Sequence, residues 1–211
     1  VLKLGALGDF VLALAAAKRI REAHPTAHIT LLTTPPYEAL AKLSPYFNEV
    51  WSNGRPAGFD DWWALVRALR RARFDRVYDL QTSSRSSALR AALGPFPPQW
   101  SGIAVGASHK HRNARRDHMH TLERQADQLH AAGIWPDAPI QPGSAPPPDL
   151  SWILSKYKEP RPIAGAPKPR PYVLLVPGAS EKRPEKRWPA TRFGELAARL
   201  RGEVGELKKE L

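Results

Sequence analysis

The sequence predicts an α/β fold, a Rossmann-like parallel sheet with helices on both faces, and three observations carry that reading. Short β-rich runs alternate with stretches of helical apolar spacing, the order expected of parallel strands joined by crossover helices. A glycine-containing turn joins the first run directly to the first helix. A proline-dense stretch interrupts the alternation, after which the same pattern restarts.

The elements follow in order. VLKL at residues 1–4 reads as a short buried strand and runs into Gly5-Ala-Leu-Gly8-Asp9. Apolar residues then recur at helical spacing from Phe10 to Ile20, with His24-Pro25 as a stop. HITLLT, His28 to Thr33, is a second strand, and Pro35-Pro36 precedes a short helix from Tyr37 to Leu43. Glu49-Val-Trp51 is a third strand, Trp62 to Arg73 a helix, RVYDL from Arg76 to Leu80 a strand, and Ser84 to Leu93 a helix. The basic run HKHRNARR, His109 to Arg116, reads as a solvated loop, and His120 to Ala132 as a helix stopped by Gly133. These elements make up a first domain over residues 1–134.

From Trp135 to Pro171 lie 11 of the chain's 22 prolines. Proline removes a backbone donor and breaks helices and central strands, so this stretch reads as an interdomain connector with at most a short element at Asp149 to Tyr157. The pattern restarts with a strand from Tyr172 to Val176, a turn at Pro177-Gly178-Ala179-Ser180 and a helix from Ala190 to Leu200. Residues 172–211 thus read as the first β-α unit of an incomplete second Rossmann-like domain. Because the chain opens on Val1 inside its first strand and closes soon after that single unit, a fragment is expected.

Composition narrows the function. The 211 residues are 42% hydrophobic and 25% charged, ordinary for a globular protein, and no apolar run reaches the ~18 residues of a membrane span. Without cysteine there is no disulfide, thiolate nucleophile or cysteine-bound zinc. The histidine spacings offer no metal pair on a helix face, so neither a metal nor a cofactor is expected. A net charge of +12 points either to an anionic partner or to a plain compositional bias towards arginine.

Three places have the residue types for chemistry. Gly5-x-x-Gly8-Asp9 leaves a strand and enters a helix at the edge where parallel sheets bind ligands. Glycine admits close backbone approach and a helix N-terminus favours anions, while Asp9 is placed either to take a proton from a bound hydroxyl or simply to cap the helix. Its spacing lacks the dinucleotide-binding fingerprint. Asp79-Leu-Gln81-Thr-Ser-Ser84-Arg85 leaves another strand at the same edge, with side chains suited to a sugar or phosphate or, for Ser83 and Ser84, to helix capping. Ser180 to Pro189 places a hydroxyl and Lys186 ahead of a helix, as a diphosphate site requires, or forms an exposed basic loop. Trp62-Trp63 read as packing residues.

Together, LKLGALGDFVLALAAAKRI, RFDRVYDLQTSSRSSAL and YVLLVPGASEKRPEKRWPATRFGELAARL resemble glycosyltransferase family 9, the ADP-heptose:lipopolysaccharide heptosyltransferases, in order and spacing. The resemblance implies a GT-B fold whose N-terminal half takes the Kdo-lipid A acceptor and whose C-terminal half holds ADP-heptose. It implies Asp9 as general base, Gly8, Gln81 and Arg85 on the acceptor side, and Ser180 and Lys186 at the donor phosphates. The implied reaction is inverting and metal-independent, in a cytoplasmic protein peripheral to the inner membrane. The family's later C-terminal segments are missing, so this chain alone is expected to bind donor poorly and to be inactive. The alternative is a basic Rossmann-like module for nucleic acid or another anion, although no helix-turn-helix, zinc-finger or RNA-binding signature supports nucleic acid.

Overall fold

A computed structural model describes residues 1–136, 141–156, 173, 175–176 and 184–207. The chain divides into two compact units, Val1–Lys158 and Glu159–Leu211.

Parallel pairing builds the first unit. Residues 1–4 form its central segment: Leu2 N–H donates to the Tyr78 carbonyl at 2.9 Å, while Lys3 N–H donates to the Leu32 carbonyl at 3.0 Å on the other side. On one flank lie β1 (Thr30–Leu32) and β2 (Glu49–Trp51), paired in parallel with Leu31 opposite Val50. On the other lie β3 (Arg76–Tyr78), β4 (Gln99–Gly102) and β5 (His109–Lys110), also parallel, with Val77 opposite Trp100 and Ser101 opposite His109. The sheet order is therefore β2, β1, central segment, β3, β4, β5.

Helices cover both faces because the strands are apolar on both. On one face, α1 (Leu7–Ala23) packs with α5 (Thr121–Ala131) over Tyr78 and Leu80, and with α2 (Pro35–Leu43) over Leu31 and Tyr46. On the other, α3 (Phe59–Ala72) and α4 (Ser84–Ala92) bury Leu65, Val66 and Leu89 against Leu2, Leu4, Leu32 and Trp100. Alternation along a strand sends Leu2 and Leu4 to the α3–α4 face and Lys3 to the opposite one. A short α6 (Ser151–Lys156) closes the described part of this unit.

Several expectations need correction. Helix α1 starts at Leu7, three residues before the predicted start, and its N-cap is Ala6, so Asp9 sits inside the first turn and is not the cap. The stretch between α4 and the basic run, to which the sequence reading assigned no element, supplies β4. The basic run is only partly a loop: His109–Lys110 is β5, and the His111 side chain is buried against Asp127 at 2.6 Å.

In the second unit the described residues form a 3-10 turn at Pro184–Lys186 and α7 (Ala190–Leu207). The amides of Arg192 and Phe193 donate to the Pro189 carbonyl, and Trp188 packs edge-on against Phe193 at 5.0 Å. The predicted turn at residues 177–180, with Ser180, and about half of the connector lie outside the described residues.

Candidate active site

Parallel strands all end at one edge, and the loops that follow them meet there. Here those loops carry Gly5 to Asp9 after the central segment, Asp79 to Ser86 after β3, Gly102 to Ser108 after β4 and His111 to Arg116 after β5.

The first loop turns sharply. Gly5 has φ of +119°, and a Cβ there would lie 2.6 Å from Cε2 of Tyr37, so both backbone and space demand glycine. Ala6 to Asp9 are exposed, and a Cβ on Gly8 would meet nothing within 4 Å. Ala6 has no side-chain oxygen to cap the helix. The first-turn amides, which lack intrahelical acceptors, and the Asp9 carboxylate therefore share one open surface at the positive end of the α1 dipole.

The second loop is built around Asp79, which is fully buried. Its Oδ1 accepts from the Thr82 and Gln81 amides at 2.9 and 3.1 Å. Burial pushes the Asp79 carboxyl above its usual range, and the hydrogen bonds from the Thr82 and Gln81 amides hold it back. Within this turn Thr82 has φ of +46°, a strained conformation for a β-branched residue. The Arg116 guanidinium donates to the Thr82 hydroxyl at 3.0 Å, which ties the basic run to the loop. Gln81 bridges the two turns, its Oε1 accepting from the Leu4 amide at 2.9 Å. Ser83 caps α4 in a reciprocal capping box with Ser86, as one reading of that serine expected, and Arg85 is exposed on the helix's first turn.

Gly8, Asp9, Gln81 and Arg85 thus belong to two strand-to-helix junctions at one edge of one unit, Gly8 and Asp9 on the first turn of α1 and Arg85 on that of α4. Lys186 ends the 3-10 turn of the second unit and is exposed there. Trp62 packs on the core, whereas Trp63 is only part-covered and meets exposed Phe59 edge-on at 5.9 Å. A cavity of about 740 Å³ opens at the opposite edge, among Val1, His24, Arg76 and Gln99, away from Asp9. Among the described residues, no group of three or more His, Cys, Asp or Glu is placed to hold a metal ion, and no helix is long and apolar enough to cross a membrane.

The sequence reading missed Lys3. Its amine is buried and donates to the Leu80 carbonyl at 3.3 Å. Burial pushes this amine below the usual lysine range; the Asp9 and Asp79 carboxylates draw it back up, and the Arg124 guanidinium of α5 pushes it further down. The available signal was a charge inside an otherwise apolar strand, VLKL.

Comparison with known proteins bears on this edge. The model of glycosyltransferase family 9 (heptosyltransferase) matches residues 62–204. That span includes Gln81, Arg85, Ser180 and Lys186; Gly8 and Asp9 precede it. The structure of Escherichia coli ADP-heptose LPS heptosyltransferase II is similar, with a TM-score of 0.62 at 23% identity over 96% of this chain and 61% of that one. A glycosyl transferase family 9 structure from Veillonella parvula DSM 2008 has a TM-score of 0.62 at 20% identity, over 97% of this chain and 59% of that one. At such identities the likeness speaks for the fold, and the chain spans about three fifths of the length of either structure. No curated protein matches the chain.

Proposed function

The chain belongs to glycosyltransferase family 9, the heptosyltransferase family, and from that premise we propose that its first unit binds the sugar acceptor and that Asp9 is the general base of heptose transfer. The observation that supports this most is the placement of Asp9: an exposed carboxylate on the first turn of α1, beside an open Gly8 and across from the Gln81–Arg85 loop. A base must reach the acceptor hydroxyl from a solvent-accessible rim, and Asp79, the other carboxylate of the edge, is buried and held by two amides.

The acceptor is a Kdo-lipid A type core, and Arg85 and the NH₂ end of Gln81 bind its phosphate or hydroxyl groups. The acceptor hydroxyl oxygen attacks the anomeric carbon of ADP-heptose from the face opposite ADP. A new carbon–oxygen bond forms, the bond to the β-phosphate oxygen breaks with its electron pair leaving on ADP, and the proton passes to Asp9. Ser180, Lys186 and amides at the start of α7 bind the departing diphosphate, offsetting charge that grows in the transition state. In this reading the transfer inverts the anomeric centre without a metal, and the protein works in the cytoplasm at the inner membrane, where a net charge of +12 suits an anionic lipid face.

The test is transfer from ADP-heptose to Kdo-lipid A, assayed for this chain and for the chain extended with the remaining length of a family member. The extended protein is expected to transfer heptose in the presence of EDTA, and this chain alone to transfer little or none. Asp9→Ala is expected to lower kcat by about 10²- to 10⁴-fold, the usual contribution of a general base, without loss of folding. Transfer that survives Asp9→Ala removes Asp9 from the mechanism. A folded, extended protein that binds neither substrate removes the heptosyltransferase reading.

A further inference from the structure

Thr82 is an awkward residue for the turn it occupies. Its φ of +46° is one that glycine or asparagine adopts readily and a β-branched side chain does not. Such a conformation persists only where its surroundings over-determine it. The Asp79 carboxylate supplies part of that hold, taking the Thr82 and Gln81 amides at 2.9 and 3.1 Å. It does so through Oδ1 alone, its Oδ2 being buried with no hydrogen-bond partner among the described residues. The rest comes from Arg116, whose Nη2 donates to the Thr82 hydroxyl at 3.0 Å across 34 residues of chain. A glycine would make this turn without strain, but it has no hydroxyl to offer Arg116. Arg116 is no solvated charge either. Its side chain is 17% exposed, Nη1 pairs with Asp117 at 2.7 Å, and Nε is buried with no partner among the described residues. An aliphatic side chain would leave no such donor unanswered, so filling space is a poor reason for arginine. The segment that carries it is pinned from behind by Asp127 of α5, which lies 2.6 Å from Nε2 of His111 and accepts from Nδ2 of Asn113 at 2.8 Å. The turn that Arg116 grips carries Gln81, whose Oε1 accepts from the Leu4 amide at 2.9 Å, just before Gly5.

We propose that Arg116 is a positioning residue of the acceptor site: by holding the Thr82 hydroxyl it keeps the turn after β3 in the form that fixes Gln81 against the turn at Gly5. This rests on the reading of that edge as the acceptor site. Arg116 acts through Thr82 and touches no substrate. The basic run thereby gains a role that net charge alone does not give it, as a brace from α5 to the loop that carries Gln81.

Two measurements test the brace. On this chain, amide hydrogen exchange compares Leu4, whose N–H is held by the Gln81 side chain, with Leu2, whose N–H is held in the sheet by the Tyr78 carbonyl. Arg116→Met is expected to speed exchange at Leu4 about tenfold and to leave Leu2 within about twofold. No change at Leu4 overturns the proposal. Equal changes at both amides also overturn it, and make Arg116 a residue of general stability. On the extended protein, Arg116→Met is expected to raise KM for the acceptor about fivefold or more and to leave KM for ADP-heptose within about twofold. Thr82→Val keeps the branched shape and removes the hydroxyl, so it should match Arg116→Met, and the double variant should be no worse than either alone. Effects that add instead show Arg116 acting on the acceptor itself, and the positioning role falls. If exchange at Leu4 responds as expected but the extended protein binds no acceptor, the brace stands and the acceptor reading of this edge fails.

Discussion

Gly5 shows how little latitude single residues have at this edge. Its φ of +119° and the 2.6 Å that would separate an added Cβ from Tyr37 Cε2 mean that Gly5→Ala meets both a backbone penalty and a collision with that ring. The expected loss is about 2 kcal/mol or more, read as a lower denaturant midpoint with the m-value unchanged. Gly8→Ala has no such obstacle, since its Cβ would enter open space inside a helix, and it should fold at least as well as the parent. An equal loss in both variants would mean that the turn is not the constraint. The same residues show what the sequence disclosed. Gly5, Gly8 and Asp9 were legible because glycines between a strand and a helix have few other uses. Which glycine is structural was not legible, because that depends on Tyr37, 32 positions away in the chain. Lys3 was overlooked because its burial is a tertiary property, and the charge inside VLKL was the one trace of it in the sequence.

At the scale of elements, strands and helices with plain periodicity were legible: α1, β1, α2, β2, α3, β3, α4 and α5 all lie close to where the apolar spacing puts them. Strands β4 and β5 were not. QWSG and HK carry no alternation, and they are strands because β3 and then β4 offer a free edge with Gln128 of α5 bonding the Asp79 and Ser101 carbonyls beside it. A histidine-rich basic run reads as solvated until Asp127, 16 residues later, takes the His111 ring. The start of α6 is joined to α1 by the Asp149–Lys18 ion pair at 3.0 Å, and the Asp149 carbonyl accepts from the Trp152 indole at 2.8 Å. Hydrogen bonds from Ser151 and Lys18 hold the Asp149 carboxyl down at about 2, against 3.8 for the free group. A depressed carboxyl stabilises the folded state above its unfolded value and loses that contribution as pH falls from 3.8 through about 2. The Trp152 indole N–H resonance is therefore expected to hold its position down to pH 3.8 and to shift below it, and Lys18→Met should bring that shift to higher pH. A shift already complete at pH 5 would contradict the pairing.

At the scale of the whole molecule, the division into Val1–Lys158 and Glu159–Leu211 assigns Asp9, Gln81 and Arg85 to one unit and Lys186 to the other. Under the proposed function, acceptor and donor binding are accordingly separable, and a net charge of +12 suits the anionic ligands proposed for each. The central claim is that the carboxyl edge of the first unit's sheet is an acceptor site. Amide chemical shifts of this chain, followed during titration with a phosphorylated Kdo-containing acceptor, test it most directly. The account predicts perturbations at Gly8, Asp9, Gln81 and Arg85, saturating together, with Asp75 and Phe96 unmoved and Arg85→Ala weakening the response. Shifts confined to Asp75, Phe96 and the opposite edge, or spread over every basic surface and erased by moderate salt, would contradict it.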